Sequence, residues 1–166
     1  GTICSVLRYG NVWGSRGSIL EVFQEQIKTG TLTVTDPEMT RFYVTLPQAV
    51  EYVQAALDLM EGGEVFVPQL PAWTLKQIVA LFKPNNVNVM GRRAGGEKAH
   101  EQLISDEEER RVVEVGGFYV VLPDPHEWTI AYKWEHEERV PLHYYGSNNT
   151  VQVAPRVLLE AVCGRP

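Results

Sequence analysis

Leu7-Arg8-Tyr9-Gly10-Asn11-Val12-Trp13-Gly14-Ser15-Arg16-Gly17-Ser18 closes an apolar run and opens an amphipathic one. Upstream, Ile3 to Leu7 reads as a buried strand; downstream, Ile19, Leu20, Phe23 and Ile27 recur at helical spacing. The glycine-rich stretch between them is therefore a strand-to-helix corner. Such corners present unpaired N–H groups at the positive end of a helix, and in open α/β sheets ligands lie beyond the carboxyl ends of the strands. By spacing alone a short Gly-rich corner is a weak motif, equally at home as plain structure.

Beyond the corner the chain alternates. Thr31 to Val34 alternates polar and apolar residues, Asp36-Pro37 marks a turn, and Phe42-Tyr43-Val44 reads as a strand. Pro47 suits a first helical turn, with Val50, Val53, Leu57 and Met60 as one apolar face and Gly62-Gly63 as the stop. Glu64 to Pro68 is a strand, and Thr74 with Gln77 forms a capping-box signature before Leu75, Ile78, Val79 and Phe82. Val87 to Met90 reads as a strand and Glu97 to Ser105 as a short helix carrying His100, Leu103 and Ile104 on one side. This pattern predicts an α/β fold. Asp106 to Arg111 is a charged run expected at the surface, and Val112 to Leu122 is broken at Gly116-Gly117, which predicts a hairpin. Pro123 to Pro141 reads as an irregular or hairpin excursion containing Trp128, Tyr132 and Trp134, and Pro155 to Val162 as a terminal helix.

Composition narrows the function classes. The 166 residues are 44% hydrophobic and carry a formal net charge of −6, enough for one domain with a real core and unfavourable for generic nucleic-acid or membrane-surface binding. Two cysteines, Cys4 and Cys163, provide neither metal spacing nor a disulfide framework, which suits a reducing compartment. No apolar run approaches the ~20 residues that span a bilayer. The four histidines lack ligand spacing, so no metal site is expected, and no G-x-S-x-G elbow supports hydrolase chemistry.

The L-R-Y-G-N-V-W-G-S-R-G-S run resembles the strand-to-helix corner of extended short-chain dehydrogenase/reductases acting on nucleotide sugars, above all the UDP-N-acetylglucosamine 4,6-dehydratase group, whose run reads R-Y-G-N-V-x-G-S-R-G-S. Three more segments agree in order: Asp36-Pro37-Glu38-Met39-Thr40-Arg41-Phe42, Gly63-Glu64-Val65-Phe66-Val67-Pro68, and Gly96-Glu97-Lys98-Ala99-His100-Glu101-Gln102-Leu103-Ile104-Ser105. Tyr144-Tyr145-Gly146-Ser147-Asn148-Asn149 is similar to the segment before the last helix of these enzymes. The resemblance weakens between Asp106 and Pro141 and corresponds to the C-terminal half of such an enzyme. It implies the C-terminal part of a Rossmann-like fold: a few parallel strands and helices over 1–105, a hairpin region over 106–150 and a terminal helix over 151–166.

A nucleotide sugar presents a pyrophosphate, ribose hydroxyls and a uracil edge, which call for guanidinium groups, a carboxylate and backbone donors. The resemblance implies substrate contacts from Asn11, Ser15, Arg16, Gly17 and Ser18, a pyrophosphate clamp of Arg41 and Arg93, and Glu97 at the ribose. It also implies Tyr9 and Gly10 beside the nicotinamide. Relatives read R-P-G-E-K where this chain has Arg92-Arg93-Ala94-Gly95-Gly96-Glu97-Lys98, so the phosphate ligand is Arg92 or Arg93. The dinucleotide fingerprint is absent, and no tyrosine is followed four positions later by lysine. In the intact enzymes NAD(P) takes hydride from C4, water is lost across C5 and C6, and hydride returns to C6. Without the acid/base pair no catalytic residue is expected here, nor tight cofactor binding. The expectation is the sugar-nucleotide part of a cytoplasmic dehydratase or epimerase of surface polysaccharide or glycan biosynthesis; the alternative is a non-catalytic UDP-sugar-binding or assembly module. Because the first strand would lack its upstream neighbours, a homo-oligomer or a complementary N-terminal half is also expected.

Overall fold

A computed structural model of the chain describes residues 1–92, 95–124, 134, 136–142 and 144–150. In chain order it contains β1 (Val6–Leu7), β2 (Asn11–Trp13), α1 (Ile19–Gln26), β3 (Thr31–Val34), β4 (Thr40–Thr45), α2 (Leu46–Leu59), β5 (Val65–Pro68) and β6 (Ala72–Thr74). There follow α3 (Leu75–Phe82), β7 (Asn86–Val89), β8 (Gln102–Ile104), β9 (Val112–Val115), β10 (Phe118–Val121) and β11 (Tyr145–Gly146). Short 3-10 turns occupy Ile27–Thr29 and Glu109–Arg111. Backbone contacts divide the chain into two compact units: Gly1–Tyr9, Pro47–Gln69 and Gln102–Gly146 form the first, and Gly10–Leu46, Leu70–Glu101 and the residues from Ser147 onward form the second. The expected terminal helix over Pro155 to Val162, and Trp128 and Tyr132, lie outside the described residues.

The first unit is built on a four-stranded sheet in the order β1-β5-β10-β9. β1 runs parallel to β5, and the β9–β10 hairpin turns at Gly116-Gly117 as the glycine pair predicts. Phe66, Val113, Phe118, Val120 and Trp134 form its core, with Ala56 of α2 buried among them. The first strand is shorter and less buried than its apolar run suggests. Only Val6–Leu7 is strand, and Ile3 and Val6 are 60% and 53% exposed, because among the described residues β1 is an edge with a partner on one side. The face of α2 also differs. Ala49 and Ala56 are buried, whereas Val50, Val53 and Leu57 are 49%, 43% and 62% exposed. The helix is apolar over an arc wider than the sheet covers, and periodicity cannot say which part of the arc faces inward.

Two polar clusters fasten this unit. Glu64 is fully buried, and its carboxylate accepts from Ser5 Oγ at 2.6 Å, Glu61 N at 2.8 Å and Gly62 N at 2.8 Å. Arg8 reaches Glu108 with both terminal nitrogens, each at 2.9 Å, and donates a further bond to Leu103 O. Burial alone would raise the Glu108 carboxyl; hydrogen bonds from Arg8 and Ser105, with the Arg8 charge, outweigh it and hold the group below the usual carboxylate range. The charged run is thus not only a solvated turn, since it holds the partner of the motif arginine 100 residues away.

In the second unit β2 runs parallel to β4, β4 antiparallel to β6, and β3 parallel to β7. Phe23, Leu32, Tyr43, Trp73 and Ile78 belong to its core. Thr74 and Gln77 cap α3 reciprocally, as their spacing predicts. The expected helix over Glu97 to Ser105 does not form: the segment is irregular up to β8, and His100 is exposed and bonds Thr40 Oγ1 through Nδ1 at 2.7 Å. Four hydrogen-bonded commitments of this stretch go to β4 and to Ser147 rather than along its own backbone. Ala99 O accepts from Thr40 N, Glu101 N donates to Ser147 Oγ, Ser147 N donates to Glu101 O, and His100 takes Thr40.

Candidate functional site

The quoted run divides by task. Arg8 is committed to Glu108 inside the first unit. Gly10 is required by close approach: a Cβ there would stand 2.4 Å from Phe42 Cβ and 2.5 Å from Phe42 O. That explanation is packing, and it needs no ligand. Tyr9 is 37% exposed at the end of the first unit's opening segment. The corner itself contains a strand that the sequence did not announce, since Asn11–Trp13 pairs in register with Tyr43 to Thr45 before the turn into α1.

Residues 11–19 without Gly14, together with Arg41 and Tyr43, line a cavity of about 260 Å3. Five expected substrate residues of the run, Asn11, Ser15, Arg16, Gly17 and Ser18, therefore share one wall set with Arg41. Gly14 and Gly17 adopt positive φ of 76° and 74°, which turns the chain from β2 into α1. Ser18 is the N-cap residue, but its side chain caps nothing. Gly17 N donates instead to Glu21 Oε2 at 2.7 Å, so a first-turn carboxylate already occupies one of the corner's donors.

Arg41 is a bracket as well as a wall. Nη1 donates to Thr40 O at 2.7 Å and Ala99 O at 3.1 Å, Nη2 donates to Lys98 O at 2.8 Å, and Nε faces Glu101 Oε1 at 3.4 Å. A guanidinium has five N–H groups, so these contacts leave one on Nη2 for a ligand. Beneath it, Ser147 Oγ lies 2.6 Å from Thr40 Oγ1 and donates to Thr40 O at 3.1 Å, and both side chains are buried. Sequence reading missed this support, because no local pattern links positions 40 and 147. It also missed Trp13 and Tyr43 as wall residues. Burial pushes the Tyr43 hydroxyl above its ordinary value, partly countered by the Arg41 charge, so the phenol stays protonated.

Among the described residues, the expected Tyr9, Gly10 and Glu97 are not on the walls of this cavity. Glu97 accepts from Thr35 Oγ1 at 3.0 Å. Arg92, the alternative phosphate ligand, pairs through Nε with Asp36 Oδ2 at 2.9 Å, and Arg93 lies outside the described residues. Among the described residues no group of three His, Cys, Asp or Glu side chains forms a metal cluster, and no helix is long and apolar enough to cross a membrane.

The model of the family described as "Polysaccharide biosynthesis protein" matches residues 1–123. The chain belongs to the polysaccharide biosynthesis protein family. The match to this family spans both halves of the quoted run, β4 with Arg41, and the Glu64 segment. Among curated relatives, the UDP-N-acetylglucosamine 4,6-dehydratase (inverting) of Campylobacter jejuni is 33% identical over 168 residues, covering 95% of this chain and 50% of the relative. The UDP-glucose 4-epimerase of Rickettsia akari is 38% identical over 157 residues, covering 90% of this chain and 46% of the relative. A crystal structure of Pen from Bacillus thuringiensis superposes with a TM-score of 0.79 at 26% identity, covering 98% of this chain and 49% of that one. The α/β fold class, with its parallel strand pairs, agrees with that likeness. The chain spans about half the length of the curated relatives it matches.

Proposed function

We propose that this member of the family is the sugar-nucleotide-binding part of a nucleotide-sugar 4,6-dehydratase or 4-epimerase in surface polysaccharide or glycan biosynthesis, working in the cytoplasm. One observation carries the reading: residues of the Asn11 to Ser18 run and Arg41 wall a single cavity. A UDP-sugar is an acceptor-rich dianion, and this wall is donor-rich. Arg16 and the remaining Arg41 N–H take the pyrophosphate, and Asn11 takes a sugar or phosphate oxygen. Because Glu21 holds Gly17 N, the anion is drawn to the arginines rather than to that amide. Arg92 or Arg93, and Glu97, are the further phosphate and ribose contacts that the resemblance implies, beyond the described walls of this cavity. Isothermal calorimetry of the 166-residue chain tests it. UDP-N-acetylglucosamine and UDP are expected to bind one site per chain, and absence of heat with both ligands would remove the assignment.

NAD(P) belongs to the intact enzyme in this reading. The residues here do not fit a dinucleotide by themselves: Gly10 is consumed by its approach to Phe42, and the fingerprint glycines and Tyr-x-x-x-Lys are not in the chain. Cofactor contacts and acid/base chemistry are therefore assigned to a complementary half.

That half, or a second copy of the chain, has a natural place on the first unit. The outer edge of β1 has no partner strand among the described residues, and Val53, Leu57 and Met60 line an apolar hollow of about 140 Å3 with Val6 and Leu7. Open parallel edges and exposed valine and leucine recruit another chain. Light scattering at micromolar concentration is expected to give a two-fold dimer for the chain alone. A stable monomer in which the Leu7 amide, on the side away from β5, resists hydrogen exchange would show instead that the edge is closed.

A further inference from the structure

Among the described residues, two buried side-chain polar atoms have no hydrogen-bond partner, Trp13 Nε1 and Ser18 Oγ, and both residues line the same cavity. A buried indole N–H ordinarily finds an acceptor, because water has been stripped from it and nothing else repays the loss. Trp13 is 7% exposed and cannot swing out to solvent: β2 pairs it in register with Thr45, and its ring meets Tyr43 edge-on at 5.3 Å. Ser18 is equally unusual. It holds the N-cap position of α1, where a serine hydroxyl normally accepts from the first turn, yet makes no such bond. Two unspent groups on residues of one wall, one of them a donor only, call for an oxygen acceptor.

We propose that Trp13 is a specificity-determining residue of this cavity, its Nε1–H donating to an oxygen of the bound ligand while the Ser18 hydroxyl bonds the same part of it. Resting on the sugar-nucleotide reading, this assigns the acceptor to the sugar-phosphate portion of a UDP-sugar.

Trp13→Phe keeps the ring and deletes only the N–H. Calorimetry on the 166-residue chain is expected to show UDP-N-acetylglucosamine affinity reduced five- to tenfold, with the ligand-free melting temperature unchanged or higher because an unsatisfied donor is gone. An equal loss for UDP assigns the acceptor to a phosphoryl oxygen; a loss confined to UDP-N-acetylglucosamine assigns it to the hexose. A second readout uses the wild-type chain: the indole 15N–1H resonance of Trp13, identified by its Overhauser contacts to the Tyr43 ring, should move downfield and exchange more slowly on saturation. If UDP-N-acetylglucosamine binds while that resonance stays in place, or if folded Trp13→Phe binds with wild-type affinity, a buried water or nothing at all meets Nε1 and the inference is overturned. If the wild type binds neither UDP nor UDP-N-acetylglucosamine, the sugar-nucleotide reading falls first and takes this inference with it.

Discussion

Glu64→Ala is expected to lower the unfolding free energy by about 3–5 kcal/mol. The carboxylate is fully buried, and its two oxygens collect the Ser5 hydroxyl and the amides of Glu61 and Gly62. Those three donors come from either side of the β1–β5 pair, so one side chain joins the N-terminal segment to the turn that ends α2. The backbone of the same residue accepts from Val6 N at 2.9 Å, the first rung of that pair. Alanine removes all three side-chain bonds and leaves a cavity. Glutamine retains one oxygen and sets an NH2 against an amide donor, so it should cost less than alanine but more than a surface change. Urea midpoints provide the measurement, with Glu107→Ala at an exposed position as the control expected within about 0.5 kcal/mol of wild type. Equal midpoints for Glu64→Ala and the control would show that the cluster contributes nothing.

Arg41→Ala is expected to weaken UDP binding roughly tenfold to a hundredfold, the equivalent of about 1.5–3 kcal/mol for a charge-assisted contact. Two mechanisms act together. The substitution deletes the guanidinium N–H that Arg41 keeps unpaired, and it releases the Lys98 and Ala99 carbonyls and Glu101, which the guanidinium holds against β4. Lysine should not rescue the loss, because an ammonium cannot reproduce a planar fork serving several carbonyls at once. Amide exchange separates the two contributions. The Thr40 N–H, bonded to Ala99 O at 3.0 Å, should exchange faster in Arg41→Ala even without ligand. Wild-type UDP affinity in the variant would remove Arg41 from the site, whatever happens to the loop.

Elements whose cause is local were legible in the chain. The capping pair Thr74–Gln77 is three residues apart, the β9–β10 turn is a glycine pair, and α1 shows its buried Leu20 and Phe23 at helical spacing. Each depends on neighbours within one turn, so residue type and spacing suffice. The Glu97 to Ser105 segment failed for the opposite reason. Its apolar spacing suits a helix, but Thr40, Arg41 and Ser147 claim its backbone and side chains. Tertiary contacts override a weak local preference in so short a segment. The outer stripe of α2 was legible as apolar but not as exposed, because coverage depends on what the sheet beside it reaches.

By itself the sequence determined the family, through four ordered motifs, and it named Asn11, Ser15, Arg16, Gly17, Ser18 and Arg41, which line one cavity; five of them lie within eight positions of the chain. It also showed that no dinucleotide fingerprint and no Tyr-x-x-x-Lys pair occur in these 166 residues. Only the tertiary structure decided what each motif residue does. Arg8 pairs with Glu108, Gly10 makes room for Phe42 and Arg92 pairs through Nε with Asp36, while Arg41 keeps a single N–H after bracketing its loop. Apart from the bond of Arg41 to its neighbour Thr40, those assignments join positions 32 to 100 residues apart, and the unpartnered Trp13 Nε1 arises only in the packed second unit. Hydrogen-bond satisfaction is a property of packed neighbours, and no reading of residues in order can supply it.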